Sequence, residues 1–505
     1  MKPWNISILP ASRKALTLPW SRFAGSAWRN LFALAALAAL AGCALAPSDQ
    51  APAVAEPQHY GAMPQVDGTA PALGQAQHFV SSQAPVARWW QAYGSAQLDS
   101  LVDEALAGNL DLASARHRLE AAREQWSAQA GATRLPAVDI GAQASRQRDL
   151  SLPIQGLPPT SLYNTYVGQA QLSYTFDIFG ANRYQTQALA HRVDQQHEEL
   201  QAARNAVAAN VVSGAISLAG LQAQIRVLET LIGLSEHDAR DMSRQYALGA
   251  VPHSSVLDAQ RNLASLSAQL PELRARALTA RHALATLLGR TPDQAPEAPE
   301  FDRLSLPTEL PVLVPSALLA ARPDIRAADA ALKTASADAG AAAANMFPRL
   351  TLSASMGRGG FDWATATSGA GAIWSLASSI TAPVFHGGAL RAQHRAALQI
   401  YEAAADAYRR TVLSAFQDVA DALASIEQVS ESLQQAEQAQ SAAQALYGKT
   451  RQQVAMGALP AVAARGMARQ AAQAKLDALR YETERLLDTA RLLHAMGSAP
   501  EAGEG

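Results

Sequence analysis

Gln245-Tyr246-Ala247-Leu248-Gly249-Ala250-Val251-Pro252 and Gln453-Val454-Ala455-Met456-Gly457-Ala458-Leu459-Pro460 are one phrase written twice. Each closes a long proline-free stretch. A glycine after the last helical residues, with a proline soon behind it, stops a helix and turns the chain back. Three further pairs keep the same order. Asn109-Leu110-Asp111-Leu112 matches Arg322-Pro323-Asp324-Ile325, Leu135-Pro136 matches Phe347-Pro348, and Phe176 to Gly180 matches Ala382 to Gly387. The offsets fall at about 206 to 213 residues. Four ordered matches in one offset window mark an internal tandem repeat, which shapes every other expectation.

Working outward from the turns, no proline occurs from Ala181 to Gly249 or from Gly387 to Gly457. At ~1.5 Å per residue each stretch predicts a helix of roughly 100 Å, far beyond an ordinary globular helix. Val207, Val211, Ile216 and Leu218 are mixed with Ala, Gln and Ser. That pattern suits a coiled-coil-like wall, packed laterally with one side wet. Before each long helix the period changes to two. Val138, Ile140, Ala142 and Ala144 alternate with Asp139, Gln143 and Ser145. Tyr166, Ala170, Leu172, Tyr174 and Phe176 alternate with Gln169, Gln171, Ser173 and Thr175. Leu350, Leu352, Ala354 and Met356 alternate with Thr351, Ser353 and Ser355, and Trp374, Leu376 and Ile380 with Ser375, Ser379 and Thr381. Each half therefore predicts helix, strand, loop, strand, very long helix, turn, helix.

Cys43 is the only cysteine, so an intrachain disulfide is excluded. Lys2, Arg13, Lys14, Arg22 and Arg29 precede an apolar run from Leu31 to Leu40, and Ala41-Gly42-Cys43 follows. Basic segment, short apolar segment and small residues describe a secretory leader, and the run is too short to span a bilayer as a helix. Leu40-Ala41-Gly42-Cys43 resembles the bacterial lipobox, in which the cysteine is acylated after cleavage. The expected division is a leader at 1–42, a Pro-rich extended tether at 43–88, a first repeat at 89–290, a second at 308–498 and a tail at 499–505. Ordered structure is expected to begin at Trp89-Trp90.

The chain has 505 residues and a formal net charge of -2, with no Lys/Arg run, which excludes an electrostatic case for nucleic acid. The histidines show no paired metal spacing, and nucleophile-elbow and phosphate-loop motifs are absent, so the reading is a non-enzyme without a cofactor other than lipid on Cys43. No apolar run near 18 residues follows the leader, so no transmembrane helix is expected. A closed β-barrel is the remaining way to cross a bilayer, and four strands are too few to close one. Several chains must then share a barrel.

Together these residues resemble the TolC family of outer-membrane efflux proteins, in its lipid-anchored NodT or OprM-like branch. The resemblance runs from Trp89 to Gly497. Besides the paired motifs, it rests on Val256-Leu257-Asp258-Ala259-Gln260, Leu287-Leu288-Gly289, Pro383-Val384-Phe385, Gly387-Gly388, Ala415-Phe416 and Val419-Ala420-Asp421. It implies a mixed α+β membrane protein, a homotrimer with a twelve-stranded outer-membrane barrel, four strands per chain, continued by a long periplasmic α-helical barrel. It also implies a periplasmic adaptor and an inner-membrane pump of the resistance-nodulation-division kind as partners. The function implied is passive exit of drugs or other toxic solutes. Ala44 after the cysteine favours, by the same resemblance, outer-membrane targeting.

Asp258 lies just past the first turn, where the resemblance places a periplasmic gate, and is the candidate gate acid, since a ring of carboxylates at a constriction attracts cations. The second repeat has Ala464-Arg465-Gly466-Met467-Ala468 where the family places a second acid. Arg465 is therefore expected to pair with Asp258 across neighbouring helices or to serve as an outward solubilising residue. Tyr163, Tyr166, Tyr174 and Trp374 are candidates for aromatic girdles or barrel-base packing. Asp418 and Asp421 read as a solvated helix face. Two rival functions use the same features, a non-conducting coiled-coil lipoprotein scaffold and a protein secretion duct.

Overall fold

A computed structural model describes residues 45–55, 57, 59–61, 67–71, 76–82, 86–150 and 160–497. Cys43, the leader and the C-terminal tail lie outside the described residues. Contacts divide the chain between Leu45 and Ala46, and every element below belongs to the C-terminal unit. After strand β1 (His78–Ser82) and a 3-10 turn (Trp89–Tyr93), helices α1 (Ala96–Gly108) and α2 (Leu110–Arg134) lead to β2 (Ala137–Leu150) and β3 (Thr160–Phe176). The long α3 (Ala181–Ala247) and its return α4 (His253–Leu287) complete the first repeat. The second contains β4 (Glu309–Leu313), α5 (Pro315–Ala321), α6 (Pro323–Ala344), β5 (Arg349–Gly360), α7 (Trp363–Thr367), β6 (Ala372–Thr381), α8 (Ala389–Ala455) and α9 (Ala461–Ala495).

The repeat is kept to the residue. Helices α3 and α8 each have 67 residues, and α4 and α9 each have 35. Their starts, Ala181 and Ala389, are 208 positions apart (389 − 181), as are His253 and Ala461 (461 − 253). The turns are built alike. Ala250 N–H donates to Gln245 O at 2.8 Å and Ala458 N–H to Gln453 O at 2.9 Å. Gly249 and Gly457 sit at φ 72° and 77°, where an L side chain would be strained.

Helix α3 packs against α2, α4, α6 and α9, and α8 against α6 and α9. One buried hydrophobic core gathers Trp89, Tyr93 and Leu98 with Val211, Val212 and Ile216 of α3, Val419 and Ile426 of α8 and Leu486 of α9. Helix α3 does contain an 18-residue window apolar enough to cross a membrane, against the expectation of no such stretch. Val207, Val211, Val212, Ala215, Ile216, Leu218 and Ala219 are all buried within this core. The window serves interhelix packing, and at 67 residues the helix is several times longer than a span requires.

Regular structure begins ahead of the Trp89-Trp90 expected, within the stretch read as an extended tether. β1 pairs in parallel with β4, from His78 against Glu309 to Ser82 against Leu313. Tyr60 Oη donates to Leu313 O at 2.6 Å, and Ser336 Oγ donates to Pro47 O at 2.8 Å. Arg485, fully buried on α9, donates to Thr69 Oγ1 and Gln77 Oε1, both at 2.7 Å, and to Ile426 O at 3.1 Å. Burial pulls its guanidinium down to about 10. Prolines exclude a helix here but not an extended chain whose backbone is satisfied by the body it lies on.

Candidate functional site: a two-faced sheet and a charged clasp

Strands β2, β3, β5 and β6 form one antiparallel sheet in that order, joining the repeats through β3 and β5. The register aligns like with like across all four strands. One row reads Ile140, Ala170, Met356, Trp374, and the next reads Val138, Leu172, Ala354, Leu376. On the opposite face, Asp139, Gln171, Ser355 and Ser375 share a row, with Ser355 and Ser375 hydroxyls 2.9 Å apart. The local alternation has thus become two continuous surfaces, one apolar and one polar.

The apolar face is uncovered in a single chain. Ile140 is 88% exposed, Met356 71% and Trp374 80%. Water is a poor neighbour for such a surface, and patches of this extent mark a lipid or protein contact. From Tyr166 to Phe176 at about 3.4 Å per residue the band runs about 34 Å along β3. A tilt of about 40° projects that to roughly 26 Å, close to the ~25 Å apolar band of a membrane barrel. Tyr166 lies at its tip end and Tyr174 and Phe176 at its helix end. Trp374 lies in mid-band opposite Met356, and Tyr163 is on the polar face, its hydroxyl donating to Asp149. β2 and β6 leave both sheet edges unpaired within the chain.

Near the helical turns the structure reassigns Arg465. Its Nε lies 3.1 Å from Asp238 Oδ1 on α3, and its Nη2 bonds the Asp241 carboxylate. Arg469 Nε approaches the other oxygen of Asp238 at 3.2 Å. Asp238 is buried between the two guanidiniums, and charge-assisted bonds of this kind are among the stronger side-chain contacts. Asp258 is not part of this clasp. It lies exposed on α4, with Arg261 at 3.6 Å. The expected Arg465–Asp258 pair is replaced because α9 presents its first turns to α3 rather than to α4. Asp418 also departs from the solvated-face reading. Its carboxylate takes a 3.0 Å bond from Arg322, whose guanidinium is shared with Asp324 and whose pKa is raised by those two acids against the opposing effect of burial. Asp421 accepts from Gln417 within its own helix.

Sequence reading missed Asp238, Asp241 and Arg469. Asp238 and Asp241 lie three apart on one helix, and Arg465 and Arg469 four apart on another, so each pair shares a face. That spacing was the available signal. Among the described residues no cluster of His, Asp and Glu could hold a metal ion.

A two-faced sheet with open edges, placed between proline-free helices of 67 residues, defines a channel-forming membrane protein of mixed helix and strand. The family profile described as "Outer membrane efflux protein" matches residues 101–290 and 314–498. The chain belongs to that family, one of outer-membrane channel and efflux-duct proteins. The pyoverdine export outer membrane protein OpmQ of Pseudomonas aeruginosa is 32% identical over 372 residues, covering 72% of this chain and 77% of the relative. The outer membrane protein OprJ of the same organism is 31% identical, covering 76% and 78%. The open state of the Neisseria gonorrhoeae MtrE outer membrane channel superposes with a TM-score of 0.74 at 26% identity, covering 89% of this chain and 98% of that one. These likenesses place the chain among efflux proteins of the outer membrane.

Proposed function

We propose that three copies of this chain close their sheets edge to edge, β6 of one against β2 of the next, into a twelve-stranded barrel. The continuous apolar row Ile140–Ala170–Met356–Trp374, opposite the polar row Asp139–Gln171–Ser355–Ser375, carries this reading. In lipid, an unpaired strand edge leaves backbone groups without partners at several kcal/mol each, so a four-stranded sheet must find more strands. The polar rows would line an aqueous passage, and the long helices would extend it through the periplasm. Such a duct supplies no energy of its own. It would therefore serve as the passive exit for drugs or other toxic solutes, fed by a periplasmic adaptor and an inner-membrane pump of the resistance-nodulation-division type. Acylation at Cys43 would add a lipid anchor to the barrel's own hold.

The clasp is the natural lock of this duct. Arg465 and Arg469 tie the start of α9 to Asp238 and Asp241 of α3, so the α8–α9 hairpin cannot swing away while they are paired. Asp258, exposed on α4 just past the turn, would face cations at the lower mouth. Conductance of the purified protein in a planar bilayer, with oligomer mass measured in parallel, tests the reading. A trimer conducting in small, mostly closed steps is expected. A monomer, or a trimer silent even after the turns are disrupted, would favour a non-conducting scaffold.

A further inference from the structure

The strand tips carry a charge asymmetry for which a duct has no need. On β2 the face bearing Val138, Ile140, Ala142 and Ala144 continues to Arg146 and Arg148, in register with Asn164 and Leu162. On β5 the same face bears Arg358, in register with Gly168 and Ala372. All three arginines are exposed, and none forms an ion pair with a carboxylate among the described residues. The adjoining stretch 151–159 contains no acidic residue. Arg358 is steadied by a 2.6 Å bond from Nη1 to Thr367 O. The short helix α7 sets Trp363 edge-on to Tyr166, ring centres 5.8 Å apart, at the same end of the same face. The opposite face of β2 at this level offers Gln143, Ser145, Gln147 and Asp149, with no cation.

Cations and aromatic rings are therefore gathered on the side that continues the apolar band, at the end away from the long helices. We propose that this rim binds the phosphate groups of phosphorylated lipid headgroups in the leaflet at the strand tips. The inference rests on the duct reading only in setting the apolar face against lipid. Cationic side chains at this level attract the anionic headgroup phosphates, and amphipathic rings settle at the headgroup level. Continuity with the apolar band favours a lipid over a soluble phosphate, because the acyl chains of the same molecule would cover Ala142, Ala144 and Tyr166.

Native mass spectrometry of the detergent-purified full-length protein tests this. A bisphosphorylated glycolipid and its phosphatase-treated form serve as probes. The wild type is expected to retain the phosphorylated probe and to lose the dephosphorylated one. R146Q/R148Q/R358Q is expected to weaken retention roughly 100-fold, at about fivefold per arginine near an anionic surface. Arg349→Gln, on the polar face at the helix end of β5, is expected to change nothing. The corresponding triple lysine variant is expected to stay within about threefold of the wild type. Equal retention of both probes, or undiminished retention in the glutamine triple, would overturn the proposal. A lysine triple as poor as the glutamine triple would also overturn it, pointing to a folding defect. Conductance in neutral bilayers is expected to be unchanged in all variants, so a silent wild type would count against the duct and not against this rim.

Discussion

The two helical hairpins are copies in backbone but differ in where their charged side chains find partners. Helices α3 and α8 have the same length, their turns use equivalent hydrogen bonds, and Gly249 and Gly457 share one conformation. With the 208-residue offset, each side chain of one hairpin can be set beside its counterpart in the other. Glu229 of α3 pairs with Arg274 of α4 at 2.7 Å. Their counterparts, at 229 + 208 and 274 + 208, are Glu437 and Glu482. An ion pair in the first hairpin has become two acids in the second. Burial is the largest cause raising Glu482 from 4.5 to about 7, and Asp302 and Glu437 add to it while Lys475 opposes. The second hairpin has its own tie elsewhere. Arg465 and Arg469 grip Asp238 and Asp241, and the counterparts of those four are Leu257, Arg261, Leu446 and Lys449, which cannot make such a clasp. The first hairpin carries that ion pair between its own two helices. The second sets two acids at the equivalent level and is tied by its arginines to α3.

The contrast is broken most forcefully at the clasp. Arg465→Ala with Arg469→Ala leaves Asp238 buried without its partners, a loss of roughly 1–3 kcal/mol to the held state. Open probability in planar bilayers is expected to rise about 5- to 150-fold. An unchanged conductance would remove the clasp from gating.

Glu482 sharpens the contrast through pH. Its folded-state pKa is raised, so its contribution to stability is full below about 4.5 and is lost as pH rises through about 7. Glu482→Gln is expected to match the wild type at pH 5. At pH 8 it should be more stable by on the order of 1–3 kcal/mol, read from hydrogen exchange across α8 and α9. Glu482→Arg, which restores the first hairpin's pairing, is expected to do the same with added sensitivity to salt. A wild type whose α8–α9 protection is flat from pH 5 to 8 would sink this account.

Smaller effects are expected at the shared turns. Gly249→Ala and Gly457→Ala each impose a left-handed backbone on an L side chain, at about 1–2 kcal/mol. The two should cost alike in thermal unfolding, because their turns are alike. The smallest effect belongs to Arg274→Ala. Both partners of that pair are well exposed to water, so about 0.2–1 kcal/mol is expected, with no change in conductance.

Much of this architecture was legible because its signals are local. Period-two alternation assigned Val138, Ile140, Tyr174 and Ser375 to the faces they occupy, since successive strand side chains point to opposite sides. Absence of proline and the Gly-x-x-Pro turns bounded both hairpins. The segment before Trp89 was harder. Its prolines announce extended chain, yet Tyr60, Thr69 and Gln77 are bound by Leu313 and Arg485, residues hundreds of positions away. The clasp was half visible. The spacing of Arg465 and Arg469 marks a face, but a face does not name the helix it will meet.

The sequence by itself determined the repeat, the lengths of the helices, the two-sided character of each strand and the absence of catalytic motifs. These are properties of neighbouring residues, written in steric preference and periodicity. Only the tertiary structure decided that β3 and β5 join the two halves, that Arg465 grips Asp238 rather than Asp258, and that Glu482 faces Glu437. Each of those depends on how a helix is rotated about its axis or which strand edge lies alongside. Such choices are fixed by packing energies summed over many distant contacts, and no local stretch of sequence contains them.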